Sequence, residues 1–401
     1  MAIADQFDAV VVGAGLSGAV IAERLADVCG LRVLVIDDRS HIGGNVHDGF
    51  DRDGILVHTY GPHLFHTDNE GVWDYLSRFT GWFPYQHRVL ARFDEWFTPV
   101  PFNYKSIRIH FPEASRLIRL LEARYPNREK VPVLELMMSS DPELKMLARF
   151  VYEKVFLQYT SKQWGVRPEE ISPEVTGRVP ILLSEREGYF TDRYQFIPDN
   201  GYTSMVKKML DHPLITLRLG QSSVGLIELR SKGQVLIYGE RFVKPLIYTG
   251  MIDQLFDYCA GELSYRSLKF VREHHKIPLY QPAAVVNYTG NEAFTRITEF
   301  RQITGQHASG TTIFKEYPGE YQRGSSDFGT PYYPKFTEQA QGKYLEYKKQ
   351  ADQYDNLFLC GRLATYKYLD MDDAVAGALD LFDNQLTAFL RRERREACGP
   401  R

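Results

Sequence analysis

A short apolar strand, AVVV (9–12), runs directly into Gly13, Gly15 and Gly18 and then into a helical pattern, and no other stretch constrains the fold as tightly. A GxGxxG turn between strand and helix uses its glycines for a tight turn, for close approach of backbone to a pyrophosphate, and for close helix–strand packing. The helix N-terminus then faces the anion. A second strand, RVLVI (32–36), ends at Asp37, 19 residues beyond Gly18. There a carboxylate can accept both hydroxyls of an adenosine ribose, so the spacing predicts a dinucleotide site. The same carboxylate would repel a 2′-phosphate and argues against NADP, an inference that Arg39 slightly blurs. This first motif does not separate NAD from FAD, but HIGGN (41–45) adds the second glycine pair that FAD-binding folds often carry.

The 401 residues exceed a single core and suggest two or three domains, and 44% apolar content suffices for globular packing. A formal net charge of -3 gives no reason to expect nucleic acid, and the basic tail at 391–395 reads as a solvated helix end. The four cysteines are scattered without a CxxC pair, which suits a reducing compartment and excludes a cysteine zinc site. No metal is expected. The acidic N-terminus does not resemble a signal peptide, and no apolar run approaches the ~20 residues that span a bilayer. The expectation is a cytoplasmic protein that is not transmembrane.

The βαβ pattern covers residues 7 to about 60. Helical periodicity follows at 114–124 and 142–160, then an aromatic loop at 184–202, a helix at 201–210, and strands at 224–229, 235–238 and 242–248. Alternation at 268–303 predicts antiparallel strands. Strand NLFLCGR (356–362) and a helix opening at Asp370 then close the dinucleotide domain. In that helix Asp372 and Asp373 fall in the first turn.

The motifs GAGLSG (13–18), HIGGN (41–45), YGPHLFHT (60–67), YTSKQWG (159–165), YFTDRYQ (189–195), TRITEF (295–300), PYYP (331–334) and GRLATYKYLDMD (361–372) occur in one order across nearly the whole chain. Together they resemble the bacterial UDP-galactopyranose mutases. The resemblance implies an α/β fold: a Rossmann-like FAD-binding domain (1–77, 200–262 and 345–401), a helical bundle (105–170) and an antiparallel β-sheet domain (78–104, 171–199 and 263–344) with a substrate lid near 178–194. It also implies interconversion of the pyranose and furanose forms of UDP-galactose, supplying galactofuranose for cell-surface glycans. FAD would act reduced, its N5 forming a covalent sugar adduct and an iminium as UDP departs. An external donor such as NAD(P)H would be needed only to prime the flavin, and a homodimer or higher homo-oligomer is expected.

On that resemblance Arg178 and Arg296 would clamp the diphosphate, each able to offer a forked pair. Phe156, Tyr159 and Trp164 would hold uracil, while Tyr189, Arg266, Tyr333 and Tyr368 would contact diphosphate or sugar. The cofactor set would comprise Gly13, Gly15, Ser17, Gly18, Asp37, Asp38, Gly44, Asn45, Gly61, His63, His66, Gly361, Arg362, Asp370 and Met371, with Met371 contributing backbone. His63 would lie against the flavin and join Arg178, Arg296 and Tyr368 as the expected catalytic group.

Three features depart from the family. His87 stands where asparagine is frequent near the sugar, Val155 where an aromatic is frequent beside uracil, and the segment 218–250 is longer than expected with no assigned role. The sugar is therefore open, an N-acetylated hexose being one possibility. Two other classes stay open: an ordinary flavin oxidoreductase such as an amine oxidase, which needs no arginine clamp, and a nucleotide-sugar-binding protein without catalysis.

Overall fold

A computed structural model describes residues 3–164 and 180–398. All four residues of Ala9–Val12 are buried, as a strand covered on both faces requires, and they form the middle of a five-stranded sheet. Its order is Ile215–Leu219, Val33–Asp37, Ala9–Val12, Leu246–Tyr248, Leu357–Leu359, with every neighbouring pair parallel. From Ala9–Val12 the chain adds Val33–Asp37 on one side and Leu246–Tyr248 on the other. That reversal is the switch point where open parallel sheets bind ligands.

Alternate residues divide between two cores. Ala9, Val11, Val33 and Val35 pack with Ala19, Ala22, Val206 and Val375 from the helices Leu16–Asp27, Tyr202–Leu210 and Met371–Asp380. Val10, Val12, Leu34 and Ile36 pack on the opposite face against Ile227, Val235 and Ile237. Those three belong to a small antiparallel sheet of Ile227–Arg230, Gln234–Ile237 and Glu240–Arg241. The segment without an assigned role thus provides the end of an edge strand, the sheet's second cover and an inner strand. The run predicted as one strand at 242–248 is correspondingly shorter, Leu246–Tyr248 alone being in the parallel sheet.

A seven-stranded sheet follows the order Tyr333–Pro334, Tyr265–His275, Thr311–Glu320, Arg296–Glu299, Val285–Tyr288, Val89–Phe93, Trp96–Val100. Its pairs are antiparallel except that Val285–Tyr288 runs parallel to Val89–Phe93. Beyond it Ala114–Arg124 and Pro142–Val151 bury Leu117, Leu121, Leu144 and Leu147 in a helical core. A π-helical turn, Tyr152–Leu157, continues into Gln158–Trp164. Val155 is buried in that helical core.

The predicted aromatic loop is a correction. Within it Tyr194–Pro198 is a strand, paired with Phe65–Thr67 on one side and Trp82–Pro84 on the other. Its aromatics are packing groups: Tyr194 stacks on Trp73 at 4.5 Å between ring centroids, and Phe196 lies 4.7 Å from the same ring. The molecule is thus α/β, a Rossmann-like domain joined to a helical region and a separate, mainly antiparallel sheet.

Candidate active site

Two glycine loops build one cradle. Gly13 has φ +107°, and a Cβ there would fall 1.9 Å from Oγ1 of Thr249, whose hydroxyl donates to the Val12 carbonyl. A Cβ on Gly18 would fall 1.9 Å from the Gly13 carbonyl oxygen, so helix Leu16–Asp27 can approach the strand this closely only with glycine. The second pair packs directly on the first: the Gly43 N–H donates to Ala14 O at 2.8 Å, and Gly44 faces Gly15. The cavity these loops open onto measures about 540 Å³. Gly13, Gly15, Ser17, Gly18, Asp37, Asp38, Gly44, Asn45, His63, Gly361, Arg362, Asp370 and Met371 all line it, so thirteen of the fifteen expected cofactor residues converge.

Asp37 is buried, and its two oxygens accept the Ala14 N–H at 2.7 Å and the Arg39 N–H at 2.8 Å. Burial raises its carboxyl pKa, the two N–H groups oppose that, and the Asp38 carboxylate adds to the rise. Each oxygen retains a lone pair for a ribose hydroxyl. Arg39 turns from the carboxylates to Asn45 Oδ1 at 2.9 Å and over the Tyr60 ring. Glycine cradle, cavity and ribose acceptor together fit the ADP half of FAD.

At the other end, Gly61 has φ +89°, and its missing Cβ leaves room for Phe270 of the large sheet, 2.7 Å from where that Cβ would sit. His63 Nδ1 lies 2.9 Å from the Gly61 carbonyl, which accepts its proton, and leaves Nε2 as an acceptor. The His63 backbone N–H donates to His58 Nδ1 at 3.0 Å. Burial, then the neighbouring His58 and the Arg362 cation, pushes the His63 pKa down to about 3, so the ring is neutral at physiological pH. Arg362 donates to the Tyr332 and Leu369 carbonyls, fixing the turn that delivers Asp370 to the start of Met371–Asp380. His66 takes a different place from His63: it stacks on Phe190 at 3.7 Å with Nδ1 3.3 Å from Asp192, a separation within ion-pair range but without hydrogen-bond alignment.

The register of the large sheet assembles the substrate side. Arg296 and Glu316 are direct cross-strand partners, as are Arg266 with Glu320 and with Tyr333. Arg296 donates to the Tyr159 hydroxyl at 2.7 Å, and its Nε lies 3.7 Å from Glu316. Burial opposes its charge, but Glu316 and Tyr159 outweigh that and keep the guanidinium protonated. The Nε atom has no hydrogen-bond partner among the described residues. Tyr333 accepts from Gln163 at 2.9 Å and its ring lies 6.0 Å from Tyr368. Tyr368 is 53% exposed and Tyr189 43%, which leaves both at the open rim. His87 is buried beneath Tyr189 and Phe190, 3.2 Å from the Tyr85 hydroxyl. Burial first and the Arg296 cation second push its pKa down to about 3.

Arg266 differs from the expected substrate contact. It is 2% exposed, donating to Glu320 at 3.1 Å and to the Gln163 carbonyl at 2.7 Å, so it braces the helix end and the sheet. Arg178 and the side chains of Phe156 and Trp164 lie outside the described residues. Sequence reasoning missed Glu316 and Gln163, along with the cavity-lining Thr249, Tyr332 and Gln221–Ser223. The unexplained length of 218–250 was the one available signal for the last group. Among the described residues, Asp51, Asp53 and His274 have metal-like spacing, but Arg272 already occupies Asp51 at 2.8 Å.

A family model described as UDP-galactopyranose mutase matches residues 154–368, and one described as an NAD(P)-binding Rossmann-like domain matches 11–79. A UDP-galactopyranose mutase of Mycoplasma pneumoniae is 38% identical over 94% of this chain and 95% of its own. The chain belongs to the UDP-galactopyranose mutase family. Within that family of isomerases it is also 33% identical to a dTDP-fucopyranose mutase of Escherichia coli, over 92% of this chain and 96% of that one. A crystal structure of a reduced UDP-galactopyranose mutase superposes with TM-score 0.69 at 16% identity, covering 95% of this chain and 96% of the other. A putrescine oxidase superposes at 0.52 with 12% identity, covering 95% and 99%, so the mutase family and that oxidase share this fold. Among the described residues no helix is long and apolar enough to cross a membrane.

Proposed function

We propose that the chain interconverts UDP-galactopyranose and UDP-galactofuranose with bound, reduced FAD. The observation that carries this reading is the adjacency of two sites: His63 and Arg362 line the dinucleotide cavity, and Arg362 lies under Tyr368, 5.4 Å from its ring centroid, at the rim of the Arg296 cluster. An amine oxidase has no use for a partly buried arginine tied to tyrosine and glutamate beside its flavin. A departing and returning diphosphate does.

When bound and reduced, FAD would supply the nucleophile that holds the sugar's anomeric carbon while UDP is away. The protein's part is to bind, orient and neutralise. Arg296, with Arg178, stabilises the charge that develops on the leaving diphosphate, and Tyr189, Tyr333 and Tyr368 surround the sugar phosphate. Phe156, Tyr159 and Trp164 hold uracil. Neutral His63, proton fixed on Nδ1 by Gly61, offers an Nε2 acceptor at the flavin end of the cavity without placing a second cation there. The cycle has no net redox change, so an external donor such as NAD(P)H serves only to prime the flavin, and a cytoplasmic role supplying galactofuranose for surface glycans accords with this chemistry. The division into FAD-binding, helical and sheet domains and a homo-oligomeric assembly belong to the same reading.

A second reading concerns the sugar alone. The neutral His87 side chain sits where the family often carries asparagine, and one relative is named for a deoxy sugar on a different nucleotide. Competing UDP-galactopyranose against dTDP-fucopyranose on the reduced, FAD-loaded protein separates the two. Furanose product from the first and not the second supports the primary reading.

A further inference from the structure

The helix Gln158–Trp164 contributes Tyr159 to Arg296, Gln163 to Tyr333 and, by its main chain, an anchor for Arg266. One more side chain of the same turn has no place in the chemistry above. Lys162 Nζ lies 2.6 Å from the Tyr288 carbonyl, 3.0 Å from Gly290, 3.2 Å from Glu292 and 3.4 Å from Phe294. Alternate carbonyls of one arc therefore converge on a single ammonium, whose three N–H groups serve four acceptors with one shared. This arc joins strand Val285–Tyr288 to Thr295 and Arg296, the arginine being the first residue of the next strand. Thr295 in turn is tied by its N–H to Glu316 O at 2.9 Å. Four carbonyl oxygens converging without a cation would repel one another, and the arc would open.

We propose that Lys162 is a positioning residue for the diphosphate clamp: its ammonium fills a carbonyl cage that fixes the arc before Arg296, and so couples the nucleotide-binding helix to the arginine's orientation. This rests on the functional reading above. The cage is built like a site for a small monovalent cation in which Lys162 is the tethered occupant. Removing the side chain should leave a cavity that ammonium can refill.

The test is Lys162→Ala, assayed with FAD-loaded, chemically reduced protein in sodium chloride and in ammonium chloride at equal ionic strength, with flavin content and UDP affinity measured alongside. Flavin content should be unchanged, while kcat/KM and UDP affinity fall roughly 10- to 100-fold, and ammonium should restore at least several-fold of each. Lys162→Met fills the space without charge, so it should show the loss and no ammonium response. Near-wild-type kcat/KM and UDP affinity in Lys162→Ala would overturn the assignment. So would a loss that accompanies lost flavin and is unmoved by ammonium, since that is the behaviour of an ordinary scaffold contact. If wild-type protein forms no furanose, the functional reading fails by itself, and the UDP titration still decides the role of Lys162.

Discussion

At the scale of single residues, the clamp carries the largest expected effect. Arg296 donates a charge-assisted contact in a partly buried setting, and each such contact is worth about 1.5–3 kcal/mol. Arg296→Ala should therefore lower kcat/KM by roughly 10- to 100-fold, mostly in kcat because the charge grows on the leaving phosphate, with flavin retained. Arg296→Lys should recover only part, since lysine keeps the charge and loses the fork. Steady-state kinetics with reduced flavin check this, and near-wild-type turnover in the alanine variant would remove Arg296 from the mechanism. Arg296 was legible in TRITEF, whereas Glu316 was not. What gives Glu316 its role is cross-strand register, and register depends on pairing between segments that the linear sequence does not specify. Arg266 shows the converse: the family resemblance implied a ligand contact, whereas cross-strand register pairs it with Glu320.

At the scale of elements, the paired glycine loops are the tightest joint. Gly44 has φ +54°, and a Cβ would sit 2.8 Å from the Gly15 Cα, so relief requires moving one backbone away from the other. Gly44→Ala should lose FAD affinity by about 10-fold or more, from a left-handed strain of about 1–2 kcal/mol plus the clash. Gly54→Ala is the control: its φ is +76° with nothing within 4 Å, so it carries strain without touching the cradle. Flavin absorbance after extensive dialysis compares the two, and equal retention would show that contact between the loops does not govern binding. Elements with strong local signals were readable: the amphipathic pattern at 114–124 coincides with Ala114–Arg124. The strand Tyr194–Pro198 was misread, although its aromatics Tyr194 and Phe196 alternate, because they pack on Trp73 and Trp82, partners distant in sequence. The role of 218–250 was hidden for a similar reason, since a covering sheet is recognised only once the sheet it covers exists.

For the whole molecule, three histidines held neutral, the buried His58 and His87 and the half-buried His63, lower stability in acid. Burial pushes His58 down to about 3, as it does His63 and His87 together with their charged neighbours. The unfolded chain takes up protons near the ordinary histidine value of ~6.5, whereas the folded chain refuses them until near pH 3. Their stabilisation is therefore complete above the unfolded value and is lost as pH falls from there toward 3, at up to about 1.4 kcal/mol per pH unit for each group. Denaturant unfolding at pH 7 and pH 5 should show His58→Gln less acid-sensitive than wild type by about one proton's slope. Identical slopes would mean that His58 is not held neutral by the fold. The most direct measurement of the account is turnover of UDP-galactopyranose by FAD-loaded protein in two redox states, read by chromatography of the nucleotide sugars. Dithionite-reduced protein should form the furanose to an equilibrium mixture without further consumption of reductant, and oxidised protein should form essentially none. Equal rates in both states, or net oxidation of the sugar, would contradict it.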